Sequence, residues 1–457
     1  MNKNVPAKTL KSVFKEFQIH EQIVADRFGD IIRQSFEATG AAPLRTSALE
    51  LRETLFASSA GATVDHQIYT VNEPPEFQNS SGGALALCYD LTVPMVRWIS
   101  QNANHLRFPF RRYQIQPVWR CEEIRSSRFS EFIQCDIDVV GDGRLDLITD
   151  AEMVSIANDI FSKLGIGAYE IRLSNRKLLE GFLMRVGVHH QRIIEAVVAI
   201  DDLAGLGHRR LRSEFETKFD LNASQIERVI RFLSVRGALE HVVHELSELF
   251  EDLPEHERYA QGLEEIKTVA AGAILMGVPV GNFVVDLSVA RCFAYYTGTV
   301  IETVLTDHPG LGSICSGGRY DDLAGLFTDR KLPGVGISIG LTSLVCRLLQ
   351  AGVLKTGPST KASVLVTSQC RDALDRYIAV GTRLRASGVG TEIYLEHHGI
   401  SEQLRYAKVK GFRFLLIADD EQLDTKIWEV KNLSTGQIAM VNDADVERFV
   451  GAHADTD

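Results

Sequence analysis

An α+β core built on an antiparallel sheet, interrupted by a helical insertion and followed by a smaller α/β domain, is the architecture expected of this chain. Three patterns point to it. Two stretches of period-two alternation flank a polar loop between Leu106 and Gly141. A long charged, amphipathic run separates them from later strand-like segments. A βαβαβ rhythm then occupies about 90 residues near the end, which indicates a compact module with a largely parallel sheet.

Taken in order, the first element is a helix from about His20 to Thr39, with Val24, Phe28, Ile31, Ile32 and Phe36 on one face and Gly40 as its stop. A short strand near Pro43–Ser47 and a helical stretch Ala48–Phe56 follow. The polar segment Asp65–Gly83, with its Pro-Pro pair and Ser-Gly-Gly, reads as turns. In Pro117–Glu122, Arg120 and Glu122 share a face. In Glu131–Val140, Gln134, Asp136 and Asp138 point one way and Ile133, Cys135, Ile137 and Val139 the other. A sheet face that carries alternate charges is either a solvated surface or the floor of a site, and alternation alone leaves both open. Residues from about Lys177 to Val278 read as helices. Strand character returns at Asn282–Val289 and Ala294–Leu305, then at Gly334–Gly340, which leads into a helix Leu341–Gln350. Ala351–Lys361 reads as a linker. Beyond it, strands near Ser363–Val366, Glu392–Leu395 and Phe412–Ile417 alternate with helices Arg371–Ala386 and Ser401–Lys410.

The 457 residues suit two to four domains at roughly 100–200 residues each. Hydrophobic residues make up 45% and charged residues 24%, a globular balance. A net charge of −11 excludes a wholly basic surface, although a local basic face can still hold nucleic acid. The seven cysteines form no C-x-x-C clip, so a zinc ribbon is not expected. Their odd number points away from a complete disulfide framework and toward a reducing, cytoplasmic setting. No apolar run approaches the roughly 18 residues of a membrane span, and the start has no apolar core of signal-peptide length. Phosphate-loop, zincin and nucleophile-elbow motifs are absent. The glycines of Gly334–Gly340 do not match dinucleotide spacing and read as sites of tight strand–helix packing. The adjacent pairs His189-His190 and His397-His398 share no face, so no metal site is expected from the protein alone.

Phe110–Gly141, FRRYQIQPVWRCEEIRSSRFSEFIQCDIDVVG, resembles motif 2 of the class II aminoacyl-tRNA synthetases in the form found in histidyl-tRNA synthetases. LCYDLTVPMVRW (Leu87–Trp98) is similar to the family's amino-acid segment, and VDLSVARCFAYYTGTVIE (Val285–Glu302) to its histidine-specific segment. SGGRYDDL and PGVGISIGLTSL resemble the motif 3 region, and SEQLRYAKVKGFRFLLIADDEQLDTKIWEVKNLSTGQ the anticodon-binding module.

The resemblance implies a class II synthetase-like core in two parts, 1–176 and 280–352. It implies a helical insertion at 177–279 and an anticodon-binding-type α/β domain at 362–457. It implies ATP-dependent activation of histidine and transfer to tRNA(His), with Mg²⁺, in a cytoplasmic homodimer. Activation brings two anions together, so arginines held in place are needed. By resemblance, Arg120 and Arg291 are catalytic, and Arg120, Glu122 and Arg128 bind ATP. Asp90, Thr92, Gln134, Asp138, Arg291, Tyr295 and Tyr296 bind histidine. Some positions depart from the family. Cys292 and Ala294 replace a glycine and an aspartate, and Thr342-Ser343 stand where a Glu-Arg pair places an arginine over adenine. Ser47 and Cys88 replace a proline and an arginine. Arg347, one helical turn beyond Ser343, is the alternative for the stacking role. These departures leave other functions open: a catalytically weakened paralogue sensing histidine or tRNA as a regulatory subunit, or an enzyme activating histidine for another acceptor.

Overall fold

Phe110–Trp119 and Glu131–Val140 pair antiparallel, with Phe110 opposite Val140 and Trp119 opposite Glu131. The computed structural model describes residues 14–57, 67–74, 83–121, 129–203, 208–291, 295–396 and 398–454. One compact unit contains Phe28–Leu354, and a second contains Lys355–Asp457 together with Glu16–Arg27.

Numbered along the chain, the strands of the first unit are β1 (Ala42–Pro43), β2 (Leu49–Leu51), β3 (Thr70–Val71), β4 (Leu85–Leu87), β5 (Phe110–Trp119) and β6 (Glu131–Val140). After them come β7 (Tyr169–Asn175), β8 (Arg236–Gly237), β9 (Phe283–Asp286), β10 (Thr299–Leu305), β11 (Ser313–Tyr320) and β12 (Gly334–Gly340). Nine of them form one sheet in the order β1-β5-β6-β12-β11-β10-β7-β9-β8. Its central pairs, from β5 through β7, are antiparallel. Helix Ile148–Leu164 buries Met153, Ala157 and Ile160 and packs across β7, β10, β11 and β12. Arg319 shows which face it covers, since its guanidinium meets Asp150 of this helix at 2.7 Å. The next residue, Tyr320, points to the opposite face, where it reaches Asp138.

Ala48–Phe56, expected as helix, begins instead as strand β2. Leu49–Leu51 pair with β4, and buried Glu50 takes Arg97 at 2.6 Å; only Arg52–Ala57 are helical. A cross-strand ladder here overrides the local helical pattern. Among the described residues between Arg176 and Leu275 run six α-helices, including Glu257–Leu275 and Arg176–Arg185. The short strand β8 in their midst pairs with β9 at the edge of the large sheet.

The second unit holds β13 (Val364–Val366), β14 (Thr391–Ile393), β15 (Phe414–Ile417), β16 (Ile427–Asn432) and β17 (Ile438–Asn442), in the order β14-β13-β15-β16-β17. The first three in that order are parallel, as the βαβαβ rhythm requires. An antiparallel hairpin, β16–β17, extends the sheet and was not part of the expected pattern. Val364, Val366, Tyr377, Leu416 and Trp428 lie in its core. Among the described residues no helix is long and apolar enough to cross a membrane.

Candidate active site

The face of the large sheet opposite helix Ile148–Leu164 carries a row of polar residues in register: Gln114 on β5, Asp136 on β6, Ser338 on β12, Ser316 on β11, Glu302 on β10 and Arg172 on β7. A neighbouring row places Arg112 beside Asp138, with Gly336 and Gly318 beyond them. The charged face of β6 is therefore the floor of a buried polar cluster: Gln134, Asp136 and Asp138 are all buried.

Asp138 is held from two sides. Arg112, fully buried, pairs with it at 2.7 Å, and Tyr320 Oη donates to its Oδ1 at 2.7 Å. Burial pulls this carboxyl upward from the usual range, while Arg112 and Tyr320 pull it back. The glycines of β12 make this arrangement possible. A Cβ at Gly336 would collide with the Asp138 carboxylate, and one at Gly334 with the Tyr320 ring. Their absent side chains clear space for side chains from neighbouring strands, which differs from the strand–helix packing expected of them. Gly318 serves Tyr296 likewise: an added Cβ there would stand 2.9 Å from the ring. Tyr295 and Tyr296 meet edge to face at 4.9 Å between centroids, and Tyr295 lies 6.3 Å from Tyr320.

Arg120 continues the line of β5. Its guanidinium lies 4.4 Å from the Tyr89 ring centroid and 5.1 Å from that of Phe132. Its Nε donates to the Tyr89 carbonyl at 3.1 Å, and its Nη2 reaches Gln134 Oε1 at 3.5 Å. Asp90 is buried beside these residues, with Arg120 and Arg112 among its electrostatic neighbours. Asp90 Oδ1 accepts from the Val93 backbone N–H at 3.0 Å. Thr92, the half-buried first residue of helix Thr92–Asn102, also offers its backbone N–H to that carboxylate.

Arg291 forms a second cluster. Its φ of 51° lies in the left-handed region, which a non-glycine residue adopts at a cost. Nη1 donates to Glu302 at 3.3 Å and Nη2 to Ser316 Oγ at 2.9 Å. Arg176 donates to the carbonyls of Arg291 (3.3 Å) and Tyr296 (3.4 Å), so one buried arginine ties down both sides of the histidine-type segment. Arg291 is among the charges that act on Tyr296, which places the two clusters next to each other.

Of the residues singled out in the sequence, Asp90, Arg120, Gln134, Asp138, Tyr295 and Tyr296 thus gather around one floor, with Thr92 at the rim and Arg291 in the adjoining cluster. Glu122 and Arg128, like Cys292 and Ala294, lie outside the described residues. Arg347 donates to the carbonyls of Leu311 (2.6 Å) and Ser313 (3.2 Å), so a role over adenine would require these bonds to break. Thr342 Oγ1 accepts from the Ile133 N–H at 2.9 Å. Sequence reasoning missed Arg112, Tyr320, Glu302, Ser316 and the role of Asp136. For Asp136 a signal existed, its place in the alternation with Gln134 and Asp138. For the others only register brings the partners together. Asp136, like Asp90 and Asp138, is a raised acid of the floor. Burial, aided by Asp138, raises it to about 7, against Arg112, Ser338 and Gln134.

Among the described residues, no group of three or more His, Cys, Asp and Glu side chains is placed to hold a metal ion. A site of this composition, with fixed arginines, buried carboxylates, an amide and tyrosine hydroxyls, suits a cationic, hydrogen-bonding small molecule beside a phosphate.

The family model described as histidyl-tRNA synthetase matches residues 25–344, and the anticodon-binding-domain model matches 361–453. The histidine–tRNA ligase of Nostoc sp. is 38% identical over 444 residues, which covers 95% of this chain and 96% of that protein. That of Clostridium tetani is 38% identical over 437 residues, with coverage of 95% and 96%. The solved histidyl-tRNA synthetase from Nostoc sp. superposes with a TM-score of 0.89 at 37% identity, covering 98% of this chain and 100% of that one. A Bacillus halodurans ATP phosphoribosyltransferase regulatory subunit/histidyl-tRNA synthetase shares the fold at a TM-score of 0.70 and 19% identity, covering 88% of this chain and 96% of that one.

Proposed function

The chain belongs to the histidyl-tRNA synthetase family and is an aminoacyl-tRNA ligase of histidine, and on that premise we propose that its chemistry runs on the polar face of the large sheet. In the first step a carboxylate oxygen of histidine attacks the α-phosphorus of ATP. A P–O bond forms, the bond to the bridging oxygen breaks, and pyrophosphate leaves. In the second step a ribose hydroxyl at the 3′ end of tRNA(His) attacks the acyl carbon of the adenylate, and AMP leaves.

The observation that carries this reading is the pair of fixed arginines at a buried polar floor. Arg120 is held between two rings and a carbonyl, and Arg291 between a carboxylate and a hydroxyl. Neither needs to reorganise to meet the charge that builds at phosphorus. Asp90 and Gln134 receive the ammonium, with Thr92 at the rim. Asp138, already paired with Arg112, and the tyrosines 295 and 296 receive the imidazole. Glu122 and Arg128 are assigned to ATP by motif alone. Mg²⁺ enters with the ATP phosphates, where it neutralises charge. The second unit binds the anticodon, and the protein acts as a cytoplasmic homodimer.

Pyrophosphate exchange tests the reading. Histidine, alone among the standard amino acids, supports ATP–pyrophosphate exchange, and tRNA(His) is then charged. Histidine binding without exchange would instead mark a sensing or regulatory protein on this fold. Exchange without charging would mark activation for another acceptor.

A further inference from the structure

We propose that Asp136 is a positioning residue that fixes the amide of Gln134, so that its carbonyl oxygen, and not its NH2, faces the amino-acid site. The proposal rests on the reading of Gln134 as an ammonium-binding residue and extends it to the group that makes it so.

An amide side chain is nearly symmetric in shape but opposite in polarity at its two ends. Only its neighbours decide which end faces a ligand. Here Gln134 Nε2 donates to both carboxylate oxygens of Asp136, at 3.0 and 2.9 Å. On the other end Oε1 faces Arg120 Nη2. An acceptor-only carboxylate on one side and a donor-only guanidinium on the other admit a single orientation. That orientation presents a carbonyl oxygen to an incoming ammonium. The flipped amide would present N–H donors, which repel an ammonium and leave Arg120 facing an NH2 group.

Asp136 is itself placed by the sheet. It is buried, lies opposite Gln114 on β5 and Ser338 on β12, and accepts a bond from the Ser338 hydroxyl. Its carboxylate makes no call on the ligand in the reading above, so its use is to hold Gln134. The arrangement also carries a pH dependence. The charged and titratable groups that act on or are acted on by Asp136 are Arg112 on β5, Cys135 and Asp138 on its own strand, Cys315 on β11, and Tyr295 and Tyr296 in the turn before β10. Burial raises both thiols and both phenols. Burial also raises Asp138, whose partners Arg112 and Tyr320 oppose the rise. Asp136, raised to about 7, changes charge near neutrality. Protonated, it keeps fewer acceptor sites for the Gln134 NH2 and gains a donor of its own. The ammonium-selective orientation is therefore complete above pH 7 and loosens below it.

The test compares histidine with imidazole propionate, the analogue lacking the amino group, by calorimetry. Asp136→Asn should weaken histidine binding by about tenfold or more, the range for losing a bond to a charged group. It should leave imidazole propionate within about twofold, and it should cost nothing further in a Gln134→Ala background. Equal losses for both ligands would overturn the proposal, as would a full additional loss in the Gln134→Ala background. If Gln134→Ala leaves histidine affinity unchanged, the reading of Gln134 itself fails, and the proposal with it. The unmodified protein supplies a check that needs no variant. Between pH 6 and 8, once each ligand's own imidazole titration has been divided out, its affinity for histidine should rise several-fold more than that for imidazole propionate. Parallel pH profiles would count against Asp136.

Discussion

The Arg112–Asp138 pair shows how charge is kept on this floor. Both side chains are almost wholly removed from water and meet at 2.7 Å. Removing one partner of such a pair leaves an uncompensated buried charge. Arg112→Ala should therefore destabilise the fold by about 3–5 kcal/mol, read by denaturant unfolding. Arg120 differs, being half-buried and held by ring faces and a carbonyl. Arg120→Ala should lower the exchange rate by about 10²-fold or more with little change in melting temperature. A variant that unfolds would make Arg120 a structural residue. Asp136 sets function against stability. Its carboxyl is raised from 3.8 to about 7, so its favourable contribution is present below pH 4 and lost as pH rises through 7. That interval corresponds to about 4 kcal/mol. The stability of Asp136→Asn minus that of the unmodified protein should grow by up to this amount between pH 4 and pH 8, measured by urea unfolding at each pH. A flat difference would mean that Asp136 titrates near its ordinary value.

At the scale of elements, the site depends on what strand β12 leaves out. β6 and β11 supply the side chains Asp138 and Tyr320, and β12 between them supplies glycine at the two places those side chains cross. Gly336→Ala forces a methyl group against the Asp138 carboxylate and the Ile137 carbonyl. It should cost about 1–3 kcal/mol and weaken histidine binding together. Gly281→Ala, which meets no atom within 4 Å, serves as the control and should change neither. The two effects of Gly336→Ala should be inseparable, because one displaced side chain causes both.

At the scale of the whole molecule, the chain separates into two compact units, and only the first contains the polar floor. A protein ending at Leu354 should retain histidine-dependent pyrophosphate exchange and lose tRNA charging. With a net charge of −11, tRNA binding by the full chain has to come from a local basic face and should weaken steeply with added salt. Undiminished charging by the shortened protein, or binding indifferent to salt, would contradict this division. The alternation of Gln134, Asp136 and Asp138 marked β6 as two-faced, and the apolar face of His20–Thr39 marked the first helix, because side chains a few residues apart settle such patterns among themselves. Arg120, Asp90 and Arg291 were singled out by the resemblance of their segments to the family's motifs, which are likewise local stretches of sequence. The rest waited on the fold. Arg112 faces Asp138 only through the register of β5 on β6, and Arg291 meets Glu302 and Ser316 only where β10 and β11 lie side by side. Leu49–Leu51 became a strand because β4 offered a ladder, and Asp136 acquired its raised pKa because neighbours from several strands shut out water. Pairing, burial and the space over a glycine are properties of chains brought together from distant positions, and local sequence does not encode them.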